Sequence, residues 1–484
     1  MSDSIDLRNI AIIAFGSRGD IQPYCAIGIE LQLAGYNVRV LTNENHRSLV
    51  ESFGLTHVDT FFDAETCLKT NQRMMKSMAS GDTFSFFMGW GDLTAAVAPS
   101  AAKRFRDEMV TNRPDLLIVG TLCEFFQLYA MVDLKLPTLR VMLQCIRPSP
   151  RAQLGIPTLF GLHNLLLIHA MGPLMVKGGR IYDDAFKSLP GCNGVMSTID
   201  RPKLFEFWIG LNYPVLICKP SLSRPILCPT AESTFKFVGA AVIDKGVERC
   251  ERSSTSFGGD STHDMLVEFL NRDDRKPVYM GWGSMICKSP EHMAVLAVDA
   301  LRKSDKRGII LGGWANLSLE VLDDAETDPG LIKYAKDNVL FVDSAPHEWL
   351  FPRVEAIVHH GGAGTTSASL RSGQPTIITP CFLDQFDHAF LVDQLGCGVG
   401  FSKQFQKIGS DELADALSKV TTNASYRLAA KSVAEEMYKE SGAKAAVEET
   451  RKYWINYVKS GSWLNYREEL MKRKSDAWKK VALA

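Results

Sequence analysis

The sequence predicts an α/β chain of two tandem parallel-sheet units, and three observations point there. Residues 9–42 read strand, glycine-rich turn, helix and strand, an arrangement that makes the two strands parallel. The alternation lapses in a polar stretch and then restarts at residue 277. Of the 484 residues, 46% are hydrophobic and 23% charged, which suffices for more than one core and excludes a disordered chain.

In chain order, residues 9–15 (NIAIIAF) form a short apolar run with β-branched residues, hence a strand. Residues 16–23 (GSRGDIQP) carry turn chemistry, residues 24–34 have helical periodicity ending at Gly35, and residues 37–42 (NVRVLT) are the next strand. Residues 113–120 and 136–143 read as further buried strands. Between Arg151 and Lys177 no residue is charged. Pro157, Gly161, His163, Asn164, His169 and Pro173 interrupt that stretch, so a membrane span is not expected. It reads as a buried helix pair, as part of an acceptor pocket, or as a surface that touches a membrane. Residues 242–264 are polar, with Ser, Thr and Gly gathered at their end, and read as a linker. Residues 277–280, 308–311, 339–342, 355–359 and 376–379 are then strands, and Pro290–Lys303 is a helix. The tail carries Trp454, Trp463 and Trp478; three solvated indoles would be costly, so the tail is expected to dock on the body, back on the first unit. The division expected is a first unit at 1–241, a linker at 242–264, a second unit at 265–444 and returning helices at 445–484.

Composition excludes some functions. The formal net charge is −1, so overall charge predicts no nucleic-acid partner. The eleven cysteines include no CxxC pair, which argues against a zinc or dithiol site and for reduced, partly buried thiols in a cytoplasmic protein. Residues 1–9 are polar and lack a basic region followed by an apolar run, so no secretory signal is expected.

The strongest chemical signal is at residues 355–366. A strand ends in His359 and His360, glycines follow at 361, 362 and 364, and Thr365 and Thr366 open a helix. Glycines let an anion approach the backbone, free N–H groups point at it, and the helix dipole favours negative charge. His360 adds a donor, while His359 alternates to the other face and reads as structural. Tight helix–strand packing is the competing reading of the glycines. Asp384 and Gln385 follow the next strand, where open α/β sheets place ligands, and suit sugar hydroxyls; Asp384 reads equally as a helix cap. Ser284 follows the strand at 277–280 and is a weaker candidate for a phosphate contact, since glycine-rich turns after strands are common. The loop at Ala345, Pro346 and His347 offers backbone to a flat base edge. Asp20, in the turn after the first strand, is a candidate general base or a helix cap. An ordinary carboxylate with pKa near ~3.9 is a weak base towards an alcohol. Burial would raise that value, and Arg18 would lower it if it points the same way.

In this order, the pieces resemble the UDP-dependent glycosyltransferases with two Rossmann-like domains facing a cleft, the GT-B type. The branch most similar is the sterol 3-β-glucosyltransferases, which are related to bacterial glycopeptide glycosyltransferases. The resemblance rests on GSRGDIQP at 16–23, PHEWL at 346–350 and HHGGAGTT at 359–366, and is weakest over residues 60–220. It implies an inverting, metal-independent transfer of a hexose, with glucose as the expected sugar, from UDP-glucose to a hydroxyl of a lipophilic small molecule such as a sterol or a phenolic. The nucleotide sugar is a substrate, and no cofactor is implied. By motif, Asp20 is the base. Ser284, His360, Gly362, Gly364 and Thr365 hold the diphosphate, Ala345 and His347 flank the uracil, and Asp384 and Gln385 bind the hexose. The chain departs from plant small-molecule members in having Asp20 where they carry the His of GHxxP. No supporting aspartate is evident near residues 118–121, and Ala368 stands where their ribose-binding glutamate falls. A peripheral membrane contact stays open. So do two other readings, a UDP-sugar epimerase on the same fold and a non-catalytic protein that binds a nucleotide or lipid.

Overall fold

The structure, a computed structural model, describes residues 6–145, 178–195, 199, 201–208, 213–229, 234–243, 259–324 and 328–471. The charge-free stretch between Arg151 and Lys177, most of the expected linker and Trp478 lie outside them.

The first unit is built on β1 (Asn9–Ile13), β2 (Asn37–Asn43), β3 (Thr56–Phe61), β4 (Leu116–Val119), β5 (Thr138–Met142), β6 (Val215–Ile217) and β7 (Phe235–Phe237). The second is built on β8 (Val278–Gly281), β9 (Gly308–Leu311), β10 (Val339–Val342), β11 (Ile357–His359), β12 (Thr376–Ile378) and β13 (Gly398–Gly400). Every pairing is parallel, in the orders β3-β2-β1-β4-β5-β6-β7 and β10-β9-β8-β11-β12-β13. Both sheets are covered on two faces, which is why the strands are continuous apolar runs rather than alternating ones. Ile10 and Ile12 pack with Tyr24, Ile27 and Leu31, and Ala11 and Ile13 pack on the other side with Phe105 and Phe126.

Each sheet reverses its strand order once, between β1 and β4 in the first and between β8 and β11 in the second. At such a point the helices after the two strands leave to opposite faces, which opens a crevice beyond the strand ends. The segments at residues 14–20, 281–284 and 359–366 all occupy these crevices, so topology alone brings the sequence motifs to one place.

The helix after β1 starts earlier than the turn chemistry of residues 16–23 suggests. It runs Arg18–Leu33, so Asp20 lies in its first turn and not in a loop. The physical reason is local. The backbone N–H and the hydroxyl of Ser17 both donate to Asp20 Oδ2, each at 2.8 Å, the reciprocal contact of a capping box. Pro23 sits inside this helix and withholds the hydrogen bond that the Gly19 carbonyl would otherwise receive.

At the start of the second unit, the helix Gly259–Asn271 takes up the last residues of the stretch expected as linker. Leu266 and Phe269 anchor it against Tyr279 and Ile309. At the chain's far end, the helices Gly442–Tyr453 and Ser462–Met471 lie on the first unit. The Tyr453 hydroxyl donates to Thr138 O at 2.6 Å, Trp454 Nε1 to Asp6 Oδ1 at 3.0 Å and Arg467 Nε to Met131 O at 2.9 Å. The units also meet through helices Gln72–Ser80 and Thr83–Thr111. Gln406 Nε2 donates to Met78 O at 2.9 Å and Gln404 Nε2 to Gly81 O at 2.8 Å, while Phe86 stacks on Phe382 at 5.4 Å.

One expectation about the thiols changes. Cys145, just past β5, and Cys228 are joined as a disulfide with Cα atoms 6.6 Å apart. They are 83 residues apart in sequence, and only the fold brings them together.

Candidate functional site

A cavity of about 500 Å³ lies between the two sheets. Asp20, Ser284, Ala345, His347, His360, Gly362, Gly364, Thr365, Asp384 and Gln385 all line it. The residues singled out in sequence therefore converge on one cleft, although they belong to both units.

On the first unit, Gly16 has φ +143°, and a Cβ there would sit 2.5 Å from Asp20 Oδ2. Glycine is required for the carboxylate to fold back on this turn. His46 Nε2, 3.0 Å from Gly16 O, braces the loop. Asp20 is half-buried. Desolvation raises its pKa, against the hydrogen bonds from Ser17, which lower it. Burial holds His347 and His46 below the ordinary histidine value, and the charge of Arg18 adds to the effect on both. Near the end of β4 no supporting aspartate stands; the side chain found there is Tyr24. Its hydroxyl accepts from Thr121 N at 2.9 Å and donates to Val141 O at 3.0 Å.

On the second unit, helix Ala363–Arg371 begins behind Gly362 with no side chain capping it. Ala363, Gly364 and Thr365 line the cavity, and first-turn N–H groups have no intrahelical acceptor. Gly361 has φ +93°, and a Cβ there would meet Ile378 Cγ2 at 2.8 Å, so this turn too admits only glycine. The His360 ring lies against Gly283 and Gly362. Its Nδ1 is buried without a hydrogen-bond partner, and burial pushes its pKa down to about 4. His360 is therefore a neutral donor, not a cation, at physiological pH. His359 faces the core, with Nδ1 accepting from Gly361 N at 2.9 Å and Nε2 3.3 Å from Ser369 Oγ.

The helix end at Gly364 lies against Gly19, the residue before Asp20. A Cβ on Gly364 would lie 3.1 Å from Gly19 O, so the first turn of one helix abuts the first turn of the other across the cleft. The carbonyl that Pro23 leaves unpaired within its own helix is the one turned toward Gly364.

Other positions are more constrained than their residue types suggest. The His347 ring stacks on Phe351 at 4.4 Å, and its Nε2 is 3.0 Å from the Tyr279 hydroxyl. Burial pushes its pKa down to about 3. Its ring thus fixes the loop, and what remains for a base is the backbone at Ala345 and His347. Gln385 Oε1 accepts from Cys381 N at 2.7 Å and Phe382 N at 3.0 Å, and its NH₂ reaches Met285 Sδ at 3.5 Å, so only the second N–H of that NH₂ is left to meet a sugar. Asp384 follows Leu383, which holds φ +49°, an uncommon backbone state outside glycine. Gln144 Nε2 donates to Asp384 Oδ2. Lys219, at the end of β6, lies beside Asp384 and contacts His388. Gln144, Lys219 and His388 carried no sequence signal, since none belongs to a motif. Among the described residues, no group of three or more His, Cys, Asp or Glu side chains could hold a metal ion.

The buried rings set a pH dependence of stability. Burial holds His347, His359, His360 and His388 below the ordinary histidine value. Below about pH 6.5 the unfolded chain binds protons that the folded one refuses, so stability is lost as pH falls, by up to ~1.4 kcal/mol per ring per pH unit. Asp20, Glu124, Asp133 and Asp384, held above the ordinary carboxylate value, act in the opposite direction but are outnumbered, since burial lowers His46, His57 and His292 as well. The melting temperature is expected to fall between pH 7 and 5.5 in ligand-free protein. A flat or rising value would contradict neutral rings.

Known proteins agree with this layout. Residues 10–131 match the glycosyltransferase family 28 N-terminal domain, and residues 310–450 match the erythromycin biosynthesis protein CIII-like C-terminal domain. The sterol 3-beta-glucosyltransferase of Debaryomyces hansenii is 27% identical over 465 residues, which are 93% of this chain and 27% of that protein. That of Saccharomyces cerevisiae is 26% identical, over 90% of this chain and 34% of its own length. The chain thus spans about a third or less of these two relatives. Among solved structures, the glycotransferase of kitacinnamycin superposes with TM-score 0.63 at 18% identity, covering 92% of this chain and 99% of that one. A Streptomyces sp. SF2575 glycosyltransferase complexed with thymidine diphosphate gives 0.55 at 16% identity, again with 92% and 99% covered. With glycosyltransferase-type domain matches in order along two parallel sheets that share one cleft, the chain has the two-domain GT-B fold of these glycosyltransferases.

Proposed function

We propose that the chain transfers a hexose, glucose, from UDP-glucose to a hydroxyl of a lipophilic small molecule such as a sterol or a phenolic, with inversion and without a metal ion. The observation that carries the reading is the approach of the uncapped helix at Gly364 to the Asp20 turn across the cavity. A donor whose diphosphate rests on residues 362–365 puts its sugar between that helix and Asp20. The acceptor oxygen attacks the anomeric carbon on the face opposite UDP, and the C–O bond to UDP breaks. Asp20 takes the acceptor proton. The leaving diphosphate's charge falls on the amides of the cradle, the N–H of His360 and the hydroxyls of Ser284 and Thr365, donors fixed before the reaction starts. Asp384 and the NH₂ of Gln385 hold hexose hydroxyls, and the Ala345–His347 backbone holds the uracil edge. The sterol 3-beta-glucosyltransferase relatives support both glucose and a sterol-like acceptor. The thymidine diphosphate held by a fold neighbour supports a nucleotide-diphosphate donor. The cleft's first-unit wall includes Leu143, Ala241, Val242 and Ile243, an apolar side fit for such an acceptor.

No helix among the described residues is long and apolar enough to cross a membrane. We place the chain in the cytoplasm, where a peripheral membrane contact would bring it to a lipid acceptor.

The test is a panel of sterols and phenolics with UDP-glucose and purified protein, read by mass spectrometry with and without EDTA. The expected result is a β-linked glucoside formed equally in both arms. Donor turnover without acceptor would favour an epimerase, UDP binding with no turnover a non-catalytic protein, and rescue by manganese after EDTA a metal-dependent reaction.

A further inference from the structure

The cleft contains a cation with no part in the reaction as described. Lys219 lines the cavity and is 6% exposed. It reaches from the end of β6 in the first unit to helix Gln385–Gln394 in the second, where its Nζ hydrogen-bonds His388 Nε2. His388 is 1% exposed, and its Nδ1 hydrogen-bonds the carbonyl of Gly361. The partners settle the tautomer. A carbonyl can only accept, so Nδ1 carries the ring proton, and Nε2 accepts from the lysine. The same lysine faces Asp384, to which Gln144 of the first unit donates a hydrogen bond. Two first-unit side chains therefore grip the second unit beside the cradle, one through His388 to the Gly361 carbonyl and one directly at Asp384.

Given the reading under Proposed function, we propose that Lys219 is a positioning residue for transfer: its bond to His388 sets the Gly361 turn, and its charge fixes Asp384, so that donor sugar and Asp20 stand in register across the cleft. The groups around the ammonium are Asp384 and Asp387 from the second unit, His388 from the same helix, and Cys218 beside it on its own strand end. Asp20 in turn bears on Asp384, and His360 on His388. His388 is neutral and cannot repel the lysine. Burial lowers the affinity of Lys219 for its proton, and the two aspartates restore part of it. The ammonium is thus lost at a pH below the ordinary lysine value of about 10.4, and the grip on Asp384 weakens with it. A lysine that served packing alone would leave no mark on the pH profile.

The experiment compares wild type, Lys219→Met and Lys219→Arg as whole chains. The readouts are kcat, KM for UDP-glucose, UDP affinity by calorimetry and the pH–rate profile. Lys219→Met is expected to lose at least about tenfold in kcat while UDP affinity moves little. Wild type should show an alkaline limb that Lys219→Arg, whose charge persists, lacks while keeping most of the rate. Should Lys219→Met not fold, Lys219→Arg decides through the limb. A Lys219→Met enzyme within about twofold of wild type, or a limb shared by wild type and Lys219→Arg, would overturn the proposal. Histidine ¹⁵N resonances separate this failure from failure of the transferase reading, because they need no acceptor. The unprotonated Nε2 signal of His388 should move in the Lys219→Arg variant, and an unmoved signal would overturn the contact whatever the chain catalyses.

Discussion

Asp20→Asn is expected to lower the rate of glucosyl transfer about 10²–10⁴-fold, the usual contribution of a general base, with UDP affinity nearly unchanged. The substitution isolates the proton-accepting role because the structure separates it from the carboxylate's other role. Asp20 Oδ2 accepts from both the N–H and the hydroxyl of Ser17. An asparagine Oδ1 can accept both, so the helix keeps its cap and the turn its shape. Asp20→Ala removes that acceptor and should also cost about 0.5–2 kcal/mol of stability. The two variants together divide a chemical loss from a folding one. The wild-type rate should fall on the acid side with an inflection above the ordinary aspartate value of about 3.9, since burial raises the Asp20 pKa and the base works only when ionised. Initial rates across pH and a UDP titration by calorimetry measure these effects. Near-normal turnover by Asp20→Asn would remove Asp20 from the chemistry.

What was legible in the sequence is what depends on neighbours along the chain. Residues 9–16 and 355–364 each show a buried strand running into glycine, and that joint dictates both a parallel strand and a helix end open to the crevice. His359 and His360 fall on the core and cleft sides because side chains alternate at the end of β11. The start of the first helix is not legible because Gly19 and Pro23 look like turn residues, whereas the Ser17–Asp20 cap and the packing of Ile21, Tyr24 and Cys25 in the core carry the helix through them. Gln385 was read by residue type alone; the residues it caps, Cys381 and Phe382, are apparent only in the folded turn. Lys219 and His388 are 169 positions apart, and Gln144 and Asp384 are 240. No local period or motif links such pairs. They exist because two sheets, each reversing at its own switch point, close on a single cleft.

His360→Ala should weaken donor binding about 10–150-fold, the equivalent of ~1.5–3 kcal/mol for a hydrogen bond to a charged acceptor. The residue is placed for this at the end of β11, with its ring over Gly362 and a buried nitrogen that has no protein partner. Because burial holds its pKa down to about 4, the ring acts as a neutral N–H. UDP affinity should therefore show no histidine step between pH 6 and 8 from this residue, as an imidazolium–phosphate pair would. Negative charge grows on the diphosphate as the glycosidic bond breaks, so the same N–H contributes more in the transition state than in the bound donor. His360→Ala should accordingly lower kcat as well as affinity, and His360→Asn, which keeps a donor on a shorter side chain, should recover part of both. Calorimetry with UDP and initial rates at saturating UDP-glucose measure the two effects separately. An unchanged donor dissociation constant in His360→Ala would place the diphosphate elsewhere. Since residues 362–365 form the end of the helix that faces Asp20, that result would also displace the donor from the cleft in which the transfer is drawn.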